Sequence, residues 1–192
     1  QAKDYGVIHL AMHGILNKKH PILSNLAFTK DDDLEQNNFL HAYEISQLEL
    51  HADLVVLSAC ETGYGKFKQG EGVLSLARSF MYAGVPSLVV SLWQVNDAST
   101  AQIMNYFYEN LAKKKDKATA LQQAKLEYLK TAKGLAAHPA FWAPFIQIGN
   151  SEPILIKTKH NYTLWYILGG VFLILGLVLA FFYFRNRKQA KS

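Results

Sequence analysis

Two short segments carry residue types that could act together in nucleophilic catalysis. His13-Gly14 follows the apolar run 6–12, and Cys60 follows the apolar run 53–59. A thiol with a pKa of about 8.5 is mostly protonated at neutral pH, so it needs a nearby imidazole to become a useful nucleophile. A His/Cys pair is therefore one interpretation of these residues. A packed, unreactive cysteine and a structural histidine are the alternative, and the residues alone do not decide between the two.

The apolar runs predict strands of a parallel sheet. Segments 6–12, 53–59 and 86–92 are continuous rather than alternating in hydropathy, which is typical of strands buried on both faces, and 145–148 predicts a short fourth parallel strand. Neighbouring parallel strands bring their carboxyl ends to one edge of the sheet, where ligands bind. If the first two strands are adjacent, His13 and Cys60 meet at that edge, each in a loop.

Helices are predicted between these strands from the apolar spacing i, i+3, i+4, i+7. One helix begins near Val73 and stops at Gly84, and another is capped by Asn96 or Asp97. The expected buried positions are Val73, Leu76, Ala77 and Phe80, then Ile103, Met104, Phe107 and Leu111, and in a third helix Leu121, Ala124, Tyr128 and Leu129. Before them, 26–28 and 39–40 predict a hairpin around a charged tip, and 43–48 a short helix.

The distribution of charge argues against a nucleic-acid partner and indicates a membrane span. Six of the 20 Lys and Arg residues follow Pro153 with no acid among them, which leaves 14 bases against 15 acids before it. Those cations flank residues 164–184, a stretch of 21 residues without a charge, long enough to cross the roughly 30 Å core of a bilayer. We therefore expect a domain over 1–150, a linker over 151–163, a transmembrane helix over 164–184 and a basic tail over 185–192.

The sequence predicts no cofactor. One cysteine and seven scattered histidines give no metal cluster, and we expect the acidic run 31–33 to be a solvated loop tip. The glycines between residues 63 and 72 lack the GxxxxGK[ST] order of a phosphate-binding loop. A single cysteine also rules out an intrachain disulfide.

Several ordered blocks resemble the CHAT domain, a caspase-like module commonly found behind tetratricopeptide repeats in bacterial proteins. The resemblance covers residues 6–149, which is most of the chain before the apolar segment. It is carried by His9-Leu-Ala-Met-His13-Gly14, Leu57-Ser-Ala-Cys60-Glu-Thr-Gly63, Gly70-Glu-Gly72, Leu76-Ala-Arg78, Tyr82-Ala-Gly84, Ser91-Leu-Trp93-Gln-Val95-Asn-Asp97 and Phe141-Trp142-Ala-Pro-Phe145.

The resemblance implies an α/β, caspase-like three-layer sandwich with a mostly parallel sheet, and a cysteine endopeptidase acting on protein or peptide substrates. Cys60 would be the nucleophile and His13 the general acid/base. The backbone N–H groups of Gly14 and Cys60 would form the oxyanion hole. His9 belongs to the motif, and we expect it to be structural.

Substrate contacts are also implied by the resemblance. Ser58 occupies the position that lines the pocket for the side chain preceding the cut, but it is neither the acid expected for basic substrates nor the amide of caspases. Trp93 and Asp97 lie in the segment that flanks the cleft in relatives. The alternatives are a core tryptophan and an aspartate that only caps a helix.

Other functions remain open at this point. One is a catalytically silent caspase-like scaffold at the membrane, and another is a cysteine hydrolase acting on a non-peptide acyl group. The resemblance also implies that the first sheet strands and a repeat domain precede Gln1. The resemblance implies a bacterial inner-membrane protein. The four cations after residue 184, against two on the other flank, favour a cytoplasmic C-terminus and a periplasmic peptidase domain. Without a signal peptide upstream, the domain would instead be cytoplasmic.

Overall fold

Four strands form the sheet that positions the candidate site. The computed structural model describes residues 5–17, 19–28, 38–58 and 71–154. Within them the sheet has the order β1 (Val7–Leu10), β5 (Leu54–Leu57), β6 (Ser87–Ser91) and β7 (Phe145–Gly149). β1 pairs with β5 and β5 with β6 in parallel, as the continuous apolar runs predict. All described residues of β5 and β6 are buried.

The last strand corrects the prediction of four parallel strands. β7 pairs with β6 in the antiparallel direction, with Leu88 opposite Ile148. The reason is the connection between them: α3 (Asp97–Ala112) and α4 (Lys117–Thr131) lie side by side as a helical hairpin. A single crossover helix would return the chain to the edge of the sheet at which β6 begins, and the next strand would be parallel to β6. Two helices bring the chain back to the edge at which β6 ends, so β7 runs in the opposite direction.

Helices cover both faces of the sheet, which gives a mixed α/β fold with three layers. α1 (Ala42–Ile45) and α2 (Glu71–Tyr82) pack on one face, and α3 and α4 pack on the other. The side chains expected to be buried are confirmed: Val73, Leu76, Ala77, Phe80, Ile103, Met104, Phe107, Leu111, Leu121, Ala124 and Tyr128. Leu129 is partly buried and packs against the core on the side of α3 and α4. Alternation along β5 sends Val55 and Leu57 to the first face, and Leu54 and Val56 to the second.

A second, three-stranded sheet carries the first catalytic candidate. It has the order β2 (His13–Ile15), β3 (Asn25–Ala27) and β4 (Phe39–His41), with both pairs antiparallel. The predicted pairing of 26–28 with 39–40 is confirmed. His13 and Gly14, which we expected in a loop, instead lie in β2, because their backbone pairs with residues 26 and 27 on β3.

Three predicted features lie outside the described residues. They are Cys60, the acidic run 31–33 and the apolar segment 164–184 with the basic tail after it. Across the described ranges, no helix is both long and apolar enough to cross a membrane.

Gly149 closes the sheet at a position that requires glycine. Its φ of 86° lies in the left-handed region, and a Cβ there would collide with the carbonyl oxygen of Pro86. Gly134 also has a positive φ, 56°, but nothing lies within 4 Å of a Cβ built on it. The two glycines therefore share the backbone cost of an added side chain and differ in the steric cost.

We expect Gly149→Ala to destabilise the fold more than Gly134→Ala. The Gly134 variant should lose about 1 kcal/mol from the left-handed backbone alone. The Gly149 variant adds a collision with backbone and should lose about 3 kcal/mol. Urea denaturation of the two variants and the parent measures the difference, and equal losses would contradict the close approach at Pro86.

Candidate active site

A cleft of about 440 Å³ lies where β1 and β5 end, beside the first half of α3. Its walls come from three parts of the chain that are far apart in sequence: the end of β1 with the turn into β2, the residue after β5, and one face of α3. The described lining residues are His9, Ala11, Met12, His13, Ser58, Asp97, Thr100, Ala101 and Met104.

The parallel pairing of β1 with β5 places two of these side chains on one face. His9 is paired with Val56, so both project toward the layer of α3 and α4. Ser58, two residues after Val56, is expected on the same face by the period of two along a strand. The His9 Nε2 and Ser58 Oγ atoms are 2.9 Å apart, within hydrogen-bonding distance.

α3 forms the opposite wall with residues at helical spacing. Asp97, Thr100, Ala101 and Met104 follow i, i+3, i+4, i+7, so they share one face of the helix. The start of the helix is fixed by Asn96, whose side chain accepts hydrogen bonds from the backbone N–H groups of Ala98 at 3.0 Å and Ser99 at 3.3 Å. Asn96 is therefore the N-cap, and Asp97 is left to face the cleft.

His13 and Gly14 reach the cleft from the small sheet. His13 lines the cleft and is exposed, whereas Gly14 is buried and pairs with Leu26 on β3. Alternation along β2 therefore turns the imidazole toward solvent and keeps the glycine against the interior. The exposed imidazole and Ser58 contribute to one cleft, although 45 positions separate them in the sequence.

His9 has hydrogen-bonding partners on both ring nitrogens. Besides Ser58 at Nε2, the Tyr108 hydroxyl lies 2.9 Å from Nδ1, and the two rings are tilted with centroids 5.7 Å apart. Partial burial lowers the pKa of His9 and raises the pKa of Tyr108 to about 12. The ring is thus neutral at physiological pH, and the phenol keeps its proton.

The predicted substrate contacts behave differently from one another. Ser58 and Asp97 both line the cleft, whereas Trp93 is half-buried, does not belong to the described lining, and donates its indole N–H to the Ala140 carbonyl at 3.0 Å. Cys60 lies outside the described residues. Of the proposed oxyanion donors, Gly14 is described and Cys60 is not.

The cleft includes residues that were not predicted to line it. His9 was expected to be structural, yet it lines the cleft and contacts Ser58. Thr100 and Ala101 were not predicted to line it either, and Met104 was predicted only as a buried residue, although their spacing from Asp97 was available as a signal. Tyr108 lies on the same helical face, eleven residues after Asp97.

The described walls of the cleft carry one acidic side chain. Asp97 is the sole carboxylate among the described lining residues, and its side chain is exposed. Within the described part of the chain, no group of three histidine, cysteine or acidic residues could hold a metal ion. The described walls therefore offer two imidazoles, two hydroxyls, a carboxylate and apolar surface.

The fold and the cleft are those of an α/β protein with a histidine at the end of a parallel sheet. A family model described as the CHAT domain matches residues 1–150. The chain belongs to the CHAT domain family, which is related to the caspase-like peptidases. The family match confirms the resemblance drawn from the sequence blocks.

Two curated relatives are tetratricopeptide repeat proteins. The chain is 32% identical over 115 residues to Tetratricopeptide repeat protein 28 of Homo sapiens, which covers 60% of this chain and 4% of the relative. It is 31% identical over 111 residues to the protein of the same name from Mus musculus, covering 58% of this chain and 4% of the relative. The chain thus spans about 4% of the length of these relatives, and their vertebrate origin gives no support to the bacterial assignment.

Proposed function

We propose that this chain is the peptidase domain of a cysteine endopeptidase, with Cys60 as nucleophile and His13 as general acid/base. The observation that carries the proposal is that the His13 imidazole and Ser58, two residues before Cys60, line the same cleft. Membership of a family related to caspase-like peptidases supports the same roles. A silent scaffold remains the second candidate, and the labelling experiment below separates the two.

The first chemical step forms an acyl-enzyme. The Cys60 thiol gives its proton to His13, and the thiolate sulfur attacks the carbonyl carbon of the scissile peptide bond. Negative charge develops on the carbonyl oxygen, where backbone N–H groups at Gly14 and Cys60 would stabilise it. The C–N bond then breaks, and the protonated His13 returns the proton to the leaving amine.

The second step hydrolyses the acyl-enzyme. His13 removes a proton from a water molecule, whose oxygen attacks the thioester carbon. The C–S bond breaks, the new carboxyl product leaves, and the proton on His13 returns to the Cys60 sulfur. The exposed position of His13 on β2 supports this step, because water can reach its imidazole.

We expect a peptidyl acyloxymethyl ketone to alkylate Cys60 in a reaction that depends on His13. Cys60 is the only cysteine of the chain, so the mass of the intact protein reports its modification without ambiguity. Replacing His13 by alanine removes the base, and the second-order labelling rate should fall by about 100-fold or more. Cys60→Ala should abolish labelling.

The matched control is His20→Ala. His20 is an exposed histidine near the small sheet and does not belong to the described lining of the cleft, so its variant should label like the parent. Labelling of the parent that is no faster than that of His13→Ala would show an unactivated thiol. That outcome would favour the scaffold function over the peptidase.

Asp97 is proposed as the residue that gives the cleft its charge preference. Its exposed carboxylate faces the space lined by His9 and Ser58, and the pKa of His9 is lowered by burial, so that ring supplies no compensating cation. A substrate with a carboxylate at the position preceding the cut would be repelled. Two unit charges about 4 Å apart in water interact by about 1 kcal/mol.

The charge preference is measured with two acyloxymethyl ketone probes that carry either glutamate or glutamine before the ketone. These probes differ only in a carboxylate against a carboxamide. In Asp97→Asn, the ratio of the glutamate to the glutamine labelling rate should rise about fivefold relative to the parent. Asp116→Asn is the control, because Asp116 caps α4 and is absent from the described cleft lining. A ratio that does not change in Asp97→Asn would reject the electrostatic role.

We also propose that residues 164–184 anchor the domain in a membrane with the C-terminus on the cytoplasmic side. The 21 uncharged residues and the flanking cations support this proposal. A repeat domain preceding this one in the whole protein is a further proposal, supported by the names of the two relatives.

Anchoring is tested by alkaline carbonate extraction of membranes from a bacterial host. The parent and Ile174→Leu should stay in the membrane pellet. Ile174→Arg places a charge at the centre of the span, at a cost of about 3 kcal/mol, and should increase the extracted fraction. Labelling of Cys60 by a membrane-impermeant maleimide in intact spheroplasts would support the proposed orientation, and labelling only after permeabilisation would reverse it.

A further inference from the structure

His9 stands between the cleft and α3 with a partner on each ring nitrogen. Ser58 Oγ lies 2.9 Å from Nε2 and the Tyr108 hydroxyl 2.9 Å from Nδ1. These contacts join His9 on β1 to Ser58, 49 positions later in the sequence, and to Tyr108 on α3, 99 positions later. Two contacts at optimal distance on one small ring restrict its rotation.

The neutral ring fits this arrangement. A neutral imidazole has one N–H donor and one acceptor nitrogen, and each neighbouring hydroxyl can play either part. Partial burial lowers the pKa of His9 and raises the pKa of Tyr108 to about 12, so both groups keep the neutral form, which is compatible with these contacts. A second proton on the ring would require both hydroxyl oxygens to accept.

Of the three residues in this hydrogen-bonded set, Ser58 is the one nearest to Cys60 in the sequence and the one that we expect to contact a substrate. The residue is 8% exposed, lines the cleft, and lies two residues before Cys60. Its position is coupled to His9, and the position of His9 is coupled to Tyr108, which does not belong to the described lining.

We propose that His9 is a positioning residue which, held by Tyr108, fixes the Ser58 hydroxyl in the wall of the cleft and thereby sets which uncharged side chain the cleft accepts. The proposal rests on the peptidase function proposed above and deepens it. His9 takes no proton from the substrate or from Cys60. Its effect is on selectivity between substrates, and it acts through Ser58.

Two variants on one helix separate the hydroxyl contact from general packing. Tyr108→Phe keeps the ring and removes the hydroxyl that contacts His9. Tyr106→Phe is the matched control, because the Tyr106 hydroxyl accepts a hydrogen bond from the Gln102 side chain instead. Thermal unfolding of each variant verifies that it folds before selectivity is measured.

Selectivity is measured as the ratio of Cys60 labelling rates for acyloxymethyl ketone probes carrying glutamine or norleucine before the ketone. We expect His9→Ala, Ser58→Ala and Tyr108→Phe each to change this ratio by about fivefold, the effect of one lost hydrogen bond. Tyr106→Phe should keep the ratio of the parent. His9→Gln, whose amide can still reach Ser58, should restore part of it.

A double-mutant cycle distinguishes positioning from independent contacts. If His9 acts through Ser58, the variant carrying both alanines should have the selectivity of Ser58→Ala alone. Additive changes would overturn the proposal, as would a Tyr108→Phe variant with the ratio of the parent.

Nitrogen NMR of the His9 ring in the full chain gives a readout that needs no activity. The parent should show a neutral ring, and Tyr108→Phe should have a different ratio of the two neutral tautomers, because Nδ1 loses its hydroxyl partner. An unchanged tautomer ratio in Tyr108→Phe would overturn the proposal. A changed ratio with no Cys60 labelling would overturn the peptidase function and the selectivity role that rests on it, whereas labelling with additive changes would overturn the positioning role alone.

Discussion

The parallel pairing of β1 with β5 is the contact on which the candidate site depends. It places residue 9 opposite residue 56, and the period of two along each strand then sends His9 and Ser58 to one face of the sheet. A shift of one residue in this register would send one of the two side chains to the opposite face. The register is held by apolar burial, since Leu54, Val55, Val56 and Leu57 are all nearly inaccessible to solvent.

α3 links the sheet core to the cleft through different faces of one helix. Ile103, Phe107 and Leu111 anchor it against the sheet, and Met104 takes part in both the core and the cleft wall. Because these positions share a rigid helix, the packing that stabilises the domain also fixes where Asp97 and Tyr108 stand. A loop could not hold both side chains, eleven residues apart, with the same accuracy.

The small sheet places His13 in the cleft at the end of the parallel sheet. β2 alternates exposed His13 with buried Gly14, and its pairing with β3 fixes the backbone of His13 and of the two residues after it. Hydrogen bonding of β2 to β3 thus fixes the direction of the Cα–Cβ bond that carries the candidate catalytic imidazole. The site is assembled from two sheets and a helix, and each contributes residues that the other two cannot supply.

The predictions that succeeded depend on local patterns. The continuous apolar runs and the i, i+3, i+4, i+7 spacing gave the strands, the helices and most of the buried side chains, because burial of one face imposes a period on residues close in sequence. The blocks around His13 and Cys60 identified the family, which the match over 1–150 confirms.

What the tertiary structure decided involves partners far apart along the chain. The direction of β7 follows from the hairpin of α3 and α4, and His13 lies in a strand because β3 pairs with it. Tyr108 reaches His9 across 99 positions, and no local period encodes such a contact. The sequence by itself determined the elements and the chemical groups, since these depend on composition and spacing. Which groups meet depends on register and packing, which only the folded chain defines.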